Sequence, residues 1–212
     1  MNPPPLRLGV LGSGKGTNFE AIARAIERGE LNAEIRLVVS DVPDAPILEK
    51  AAALGVAWQA LPGSQYRTRL EPELEAVLAA LLGSAGVELV VLAGYMRIVK
   101  APLLERFEGR IVNIHPSLLP AFPGREAWRQ ALEAGVAWTG CTVHWVDAGV
   151  DTGEIIAQQR VDVAPDDTAE TLRERIQRAE NALYPRALEE LHLTLREKQA
   201  NQRTKRPTGQ GP

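Results

Sequence analysis

The chain has 212 residues, 45% of them hydrophobic and 24% charged, with a formal net charge of −3. This is ordinary usage for one globular domain, and it excludes nucleic-acid or membrane-surface binding that rests on a general basic excess. Cys141 is the single cysteine, the start Met1-Asn2-Pro3-Pro4-Pro5 has no basic and apolar leader, and the longest apolar runs, 76–82 and 89–93, are too short to cross a bilayer. The expectation is a soluble cytoplasmic protein with no disulfide, no cysteine-built metal site, no membrane partner and no nucleic-acid partner.

Residues 6–11 are a short apolar run ended by glycine, the pattern of a buried strand. Residues 18–28 carry Phe19, Ile22, Ala23 and Ile26 at helical spacing and stop at Gly29. A strand over 34–40 precedes a helix over 46–54, with Pro46 in its first turn and Gly55 past its end. A weaker strand over 56–61, a Leu/Ala/Glu helix over 70–82 and the clearest buried strand, 87–93, follow. A short helix over 101–107 leads into a strand over 110–114. Strands alternating with helices argue for βαβ units and a parallel sheet.

Beyond Ile114 the texture changes. Pro116, Pro120, Pro123 and Gly124 mark a rigid loop, a helix spans 125–134, and 141–146 and 154–163 read as two strands. Asp167 and Glu170 resemble a capping box before a last helix ending near residue 195, which Pro185 kinks or splits. His192 reads as a surface residue of that helix, and the polar stretch 196–212 as a disordered tail.

Ligands of an open parallel sheet bind beyond the carboxyl ends of its strands. The chemically suggestive residues all follow strands: residues 12–18, residues 94–98, Asn113 with His115, and Asp151. In Gly12-Ser13-Gly14-Lys15-Gly16-Thr17-Asn18, glycines let backbone N–H groups approach an anion at a helix start. The loop matches neither a Walker A sequence nor the dinucleotide fingerprint, because Thr17 and Phe19 stand where that fingerprint needs glycine. Its plainer alternative is a turn capped by Thr17 or Asn18.

Asn113 and His115 are spaced i, i+2 and share a strand face. An amide donor beside an imidazole suits acyl transfer, which needs donors for an oxyanion and a group to manage a proton. A nearby carboxylate would orient the ring, and Asp147 and Asp151 compete for that place. His144 reads as structural or substrate-lining, and Ser117 lacks a nucleophile elbow.

Four segments carry a family resemblance: Gly14-Lys15-Gly16-Thr17-Asn18, Val91-Leu92-Ala93-Gly94-Tyr95-Met96-Arg97-Ile98, Asn113-Ile114-His115-Pro116-Ser117-Leu118-Leu119-Pro120, and Thr142-Val143-His144 through Asp151-Thr152-Gly153 to Ile156. From about residue 6 to about residue 188 the chain resembles the glycinamide ribonucleotide formyltransferases, folate-dependent enzymes of purine synthesis. The resemblance implies one Rossmann-like formyltransferase domain over 1–195, mostly parallel, with helices on both faces and a C-terminal antiparallel strand pair. Its N-terminal half would bind nucleotide phosphate and its C-terminal half folate and the catalytic loop.

By the same resemblance Asn113, His115 and Asp151 are catalytic, which selects Asp151 over Asp147. Gly14, Gly16, Thr17 and Asn18 would hold the phosphate, and Gln177 and Glu180 the rest of the ribonucleotide. Arg69, Tyr95, Met96, Arg97, Ile98, Val99, Val146 and Asp147 would meet the folate. The implied co-substrate is 10-formyltetrahydrofolate, with no metal, in a monomer or homodimer. Glu126 departs from the family, which usually has histidine there.

Rival readings are a formyltetrahydrofolate deformylase, a tRNA formyltransferase and a non-catalytic nucleotide sensor. The early first strand weighs against the deformylase's extra N-terminal module. The short acidic chain weighs against the tRNA enzyme, and the Asn113, His115, Asp151 set against a sensor.

Overall fold

The computed structural model describes residues 3–204, with side chains through residue 197. Its elements in chain order are β1 (Leu6–Leu11), α1 (Thr17–Glu27), β2 (Ala33–Ser40), α2 (Pro46–Ala53), β3 (Trp58–Ala60), α3 (Pro72–Ser84) and β4 (Leu89–Leu92). There follow α4 (Ala101–Arg106), β5 (Ile111–His115), α5 (Ala127–Glu133), β6 (Trp138–Trp145), β7 (Ile155–Asp162) and α6 (Ala169–Thr204).

One sheet takes the order β3-β2-β1-β4-β5-β6-β7. The first five of these strands are parallel, β6 is antiparallel to β5, and β7 is antiparallel to β6. The chain is thus a single α/β domain with a mostly parallel sheet and antiparallel C-terminal strands, as expected. Strand order switches direction at β1, and such a switch opens a crevice beyond the strand ends.

Period-two alternation divides the core between two faces. On β4, Leu89 and Val91 join a cluster with Phe19, Ile22, Leu172 and Tyr184, while Val90 and Leu92 join one with Leu78, Leu82, Leu103 and Phe107. Helices α1 and α6 therefore cover one face, and α3 and α4 the other. Tyr184 is fully buried, and its hydroxyl reaches the carbonyls of Leu92 and Val112, each at 3.1 Å. That contact fixes α6 against the ends of two central strands.

The last helix differs from expectation in three ways, and it carries Pro185 without a break. It runs on to Thr204, because residues 196–204 are mostly helix formers without glycine or proline; the rest of the expected tail, 205–212, lies outside the described residues. The capping box is Thr168 with Thr171, whose backbone N–H groups donate to each other's hydroxyls at 2.9 and 3.2 Å. Asp167 instead accepts a forked pair of bonds from Arg175, at 2.7 and 2.8 Å. Pro185 does not split the helix. Tyr184, Ala187 and Leu188 around it are buried, and that packing opposes the ~3 kcal/mol an interior proline costs. Finally, His192 is fully buried: the N-terminal segment folds over it, and Pro4 O lies 3.0 Å from Nε2.

Candidate active site

The loop after β1 is shaped by what surrounds its glycines. A Cβ on Gly12 would stand 2.9 Å from Ala93 O, and one on Gly16, at φ +69°, 2.8 Å from Ile47 Cγ1. Only glycine lets the chain pass between β4 and α2 and enter α1. The first-turn N–H groups of α1 have no intrahelical partner, and the helix dipole favours an anion there.

Helix α6 closes on that turn from the far end of the chain. Gln177 Nε2 donates to Thr17 Oγ1 at 3.0 Å, and Asn18 Nδ2 donates to Glu180 Oε2 at 3.3 Å. Burial pushes the Glu180 carboxyl up to about 7, against the opposing pull of the Asn18 bond and Arg173. Asn18 is itself buried, and its Oδ1 has no protein partner.

A second set of residues gathers at β5 and β6. Asn113 and His144 are paired across the antiparallel ladder, and Asn113 Nδ2 lies 3.1 Å from His144 Nε2. His144 Nδ1 lies 2.8 Å from Trp145 O, so an Nδ1–H tautomer donates there and leaves Nε2 to accept from Asn113. Burial holds the His144 ring below the usual imidazole range, which favours that neutral form. One N–H of the Asn113 amide then remains for a ligand.

His115 Nδ1 lies 3.3 Å from Asp151 Oδ2, and its Nε2 lies 2.9 Å from Phe122 O. An acceptor thus faces each nitrogen, and the imidazolium is the form that donates to both. Asp151 also accepts from Gly124 N–H at 2.8 Å and stands 3.7 Å from His144 Nε2. The other aspartate, Asp147, accepts from Gly149 N–H at 2.9 Å and Thr152 Oγ1 at 2.7 Å, the work of an Asx turn. Glu126 is half-exposed and 3.6 Å from Arg129, while the same loop meets Asp151 through Gly124.

The route by which Asp151 arrives differs from a simple strand-end loop. Because β6 is antiparallel, its last residue, Trp145, pairs with Val112 near the start of β5. The chain must double back after Trp145 for Asp151 to meet His115. The first three loops follow parallel strands directly.

A cavity of about 440 Å³ lies here, lined by Asn113, His115, His144 and Asp151 among others. Tyr95, Met96, Arg97, Ile98, Val99, Val146 and Asp147 also line it; Arg69 does not. Arg69 is exposed and lies over the Tyr66 ring at 4.4 Å. The Arg97 guanidinium is engaged by Asp41 at 2.6 Å, Arg69 O at 2.9 Å and Tyr66 O. Asp41 in turn accepts from Ser13 Oγ at 2.5 Å, and Ser13 Oγ accepts from Met96 N–H at 2.9 Å. Arg97 thereby ties the loop after β4 to Asp41 at the end of β2 and to the loop after β3, and Asp41 passes the link on to Ser13 in the loop after β1.

Sequence reasoning missed this clamp, and it missed Phe122, Trp128 and Arg173. Phe122 has φ 55°, which turns its carbonyl onto His115. Ser117, also under that carbonyl, donates to Ala121 O at 2.5 Å, so its hydroxyl staples the loop. The Leu119–Pro120 peptide in the same loop is cis. Among the described residues no cluster of His, Cys, Asp and Glu is placed to hold a metal ion, and no helix is long and apolar enough to cross a membrane.

An amide donor beside a carboxylate-held imidazole, at the rim of an α/β sheet, defines a group-transfer enzyme of the acyl-transfer kind. The formyl transferase family profile matches residues 6–188, and the chain belongs to that family. It is 42% identical over 185 residues to the phosphoribosylglycinamide formyltransferase of Bacillus subtilis strain 168, covering 87% of this chain and 94% of that one. A solved structure of glycinamide ribonucleotide transformylase 1 from Symbiobacterium toebii is 50% identical, with a TM-score of 0.83 over 87% of this chain and 86% of that chain. The trifunctional purine biosynthetic protein adenosine-3 of Drosophila pseudoobscura is 45% identical over 190 residues, 89% of this chain, but this chain spans only 14% of that protein's length.

Proposed function

We propose that the chain transfers the formyl group of 10-formyltetrahydrofolate to the amine of glycinamide ribonucleotide, a step of de novo purine biosynthesis. The observation that carries this reading is the set of Asn113, His115 and Asp151 around one cavity, with α6 tying the anion-favouring start of α1 to the same sheet end.

In this reading the N-terminal half holds the ribonucleotide. Backbone amides at Gly14, Gly16, Thr17 and Asn18 receive the phosphate, and Gln177 and Glu180 the remainder. The C-terminal half and the loop after β4 hold the folate. Leu92, Ile98, Val99 and Val146 give the cavity apolar walls, and a pocket of this size and character suits a flat heteroaromatic ring. Tyr95, Met96, Arg97 and Asp147 complete it, and Arg69 would have to swing in to take part. The enzyme is read as a cytoplasmic monomer or homodimer acting on small molecules, over a domain of residues 1–195.

The amine nitrogen attacks the formyl carbon, a C–N bond forms and the carbonyl oxygen becomes an oxyanion. The remaining N–H of Asn113 donates to it, and the charged His115 ring stabilises it at short range. Asp151 holds that ring and accepts the amine proton, directly or through a water. The bond to the folate nitrogen then breaks, and the proton leaves with it. While Nε2 stays on Phe122 O, His115 contributes charge and placement; a direct bond to the oxyanion needs that contact to exchange. Anchoring the phosphate far from the reacting atoms lets binding energy position the amine.

The relatives favour this transfer over hydrolysis or sensing. The test is release of free folate from 10-formyltetrahydrofolate with and without the ribonucleotide. Release that requires the ribonucleotide supports transfer. Release without it identifies a deformylase, and none in either case a sensor.

A further inference from the structure

Residues 173, 177 and 180 of α6 are spaced i, i+4, i+7 and share one helix face. Gln177 and Glu180 on that face meet Thr17 and Asn18, so the face is turned to the start of α1. The side chains grade outward, from buried Glu180 through half-buried Gln177 to exposed Arg173. Arg173 therefore stands where this stripe reaches the cavity, which it lines.

Its guanidinium lies 4.9 Å from the centre of the Trp128 ring, which α5 holds against the core. Among the described residues that guanidinium donates no hydrogen bond and pairs with no carboxylate. A cation stacked on an aromatic face is held in place with its in-plane N–H groups still open. At the start of α1 the backbone dipoles and the exposed Lys15 favour an anion, while the acid Glu180 lies against Asn18 and opposes one.

We infer that Arg173, held by Trp128, is a further ribonucleotide-binding residue that supplies the fixed positive charge for the substrate phosphate. The inference rests on the proposed ribonucleotide site. It makes Trp128 a positioning residue that acts through Arg173. Because the phosphate is remote from the reacting carbon, the interaction is the same in ground and transition states and belongs to KM.

The experiment measures calorimetric binding of glycinamide ribonucleotide, its dephosphorylated riboside and ribose 5-phosphate to the full chain, with KM and kcat alongside. Arg173→Gln is expected to weaken both phosphorylated ligands about 10-fold, leave the riboside and kcat unchanged, and flatten the salt dependence of binding. Arg173→Lys recovers part of the loss, and Trp128→Leu loses about 3-fold. Equal affinity of wild type and Arg173→Gln for the phosphorylated ligands overturns the inference. So does an equal loss on the riboside, which marks a packing role, or a loss confined to the folate, which marks a carboxylate contact. Ribose 5-phosphate separates the two readings. If the wild type binds it through Arg173 yet does not formylate the ribonucleotide, the phosphate clamp stands and the proposed reaction falls.

Discussion

At the start of α1 the chain reaches the left-handed region with Gly16, at φ 69°; around His115 it does so with Phe122, Glu126 and Asp151, each at φ 55°. Those three are the only non-glycine residues with positive φ among the described residues, and all border one loop cluster. The end proposed to take the phosphate is thus built without strain, from backbone that glycine leaves bare. The end around His115 holds about 1–2 kcal/mol of strain at each such residue, with Phe122 held by Ser117 and His115 and Asp151 by Gly124. A phosphate needs only amides and charge, whereas a tetrahedral intermediate needs a carbonyl, a carboxylate and a ring aimed together.

The largest effect that separates the two ends comes from Asp151→Asn. It should lower kcat about 10³-fold while leaving affinity for the ribonucleotide phosphate intact. A comparable loss of ribonucleotide affinity would mean that the two ends are not independent. Next comes pH. Glu180 is raised from 4.5 to about 7 in the fold, so its neutral form is favoured, and its stabilisation is lost as pH rises between those values. In Glu180→Gln that slope disappears, and the difference in unfolding free energy from wild type shifts by roughly 3 kcal/mol between pH 4.5 and about 8. His144, at the other end, is lowered from 6.5, so its contribution is lost as pH falls through its folded value. His144→Gln should remove that acid limb and leave the Glu180 slope untouched. Chemical denaturation across pH reads both.

Gly16→Ala should cost about 2 kcal/mol, from its φ and the Ile47 contact, and raise KM for the ribonucleotide more than it lowers kcat. The smallest change is Glu126→Asn, which keeps a polar residue suited to positive φ. It should raise stability by up to ~1 kcal/mol with kcat nearly unchanged, as thermal unfolding and turnover would show.

Much of the fold was legible because its signals are local. The apolar run of β4, Pro46 at the start of α2 and Gly29 after α1 each act within a few residues. The site was legible where strand ends carry it, as for Asn113 and His115. Asp151 was chosen over Asp147 by resemblance alone, since only the doubling back after Trp145 separates them physically. The His144–Asn113 bond depends on β5–β6 register, and the Arg97–Asp41 clamp joins residues 56 apart. His192 was misread as a surface residue because what covers it lies 188 residues away. The capping box slipped by one residue because threonine stands in for glutamate at the helix start.

In the proposed reaction Asn113 donates to the oxyanion and contributes little to binding either substrate in the ground state. The most direct measurement of that role is single-turnover formyl transfer by Asn113→Ala, with binding constants for both substrates taken on the same preparation. Turnover should fall about 10²–10³-fold with both affinities retained. Near-normal turnover in a folded Asn113→Ala protein would contradict it.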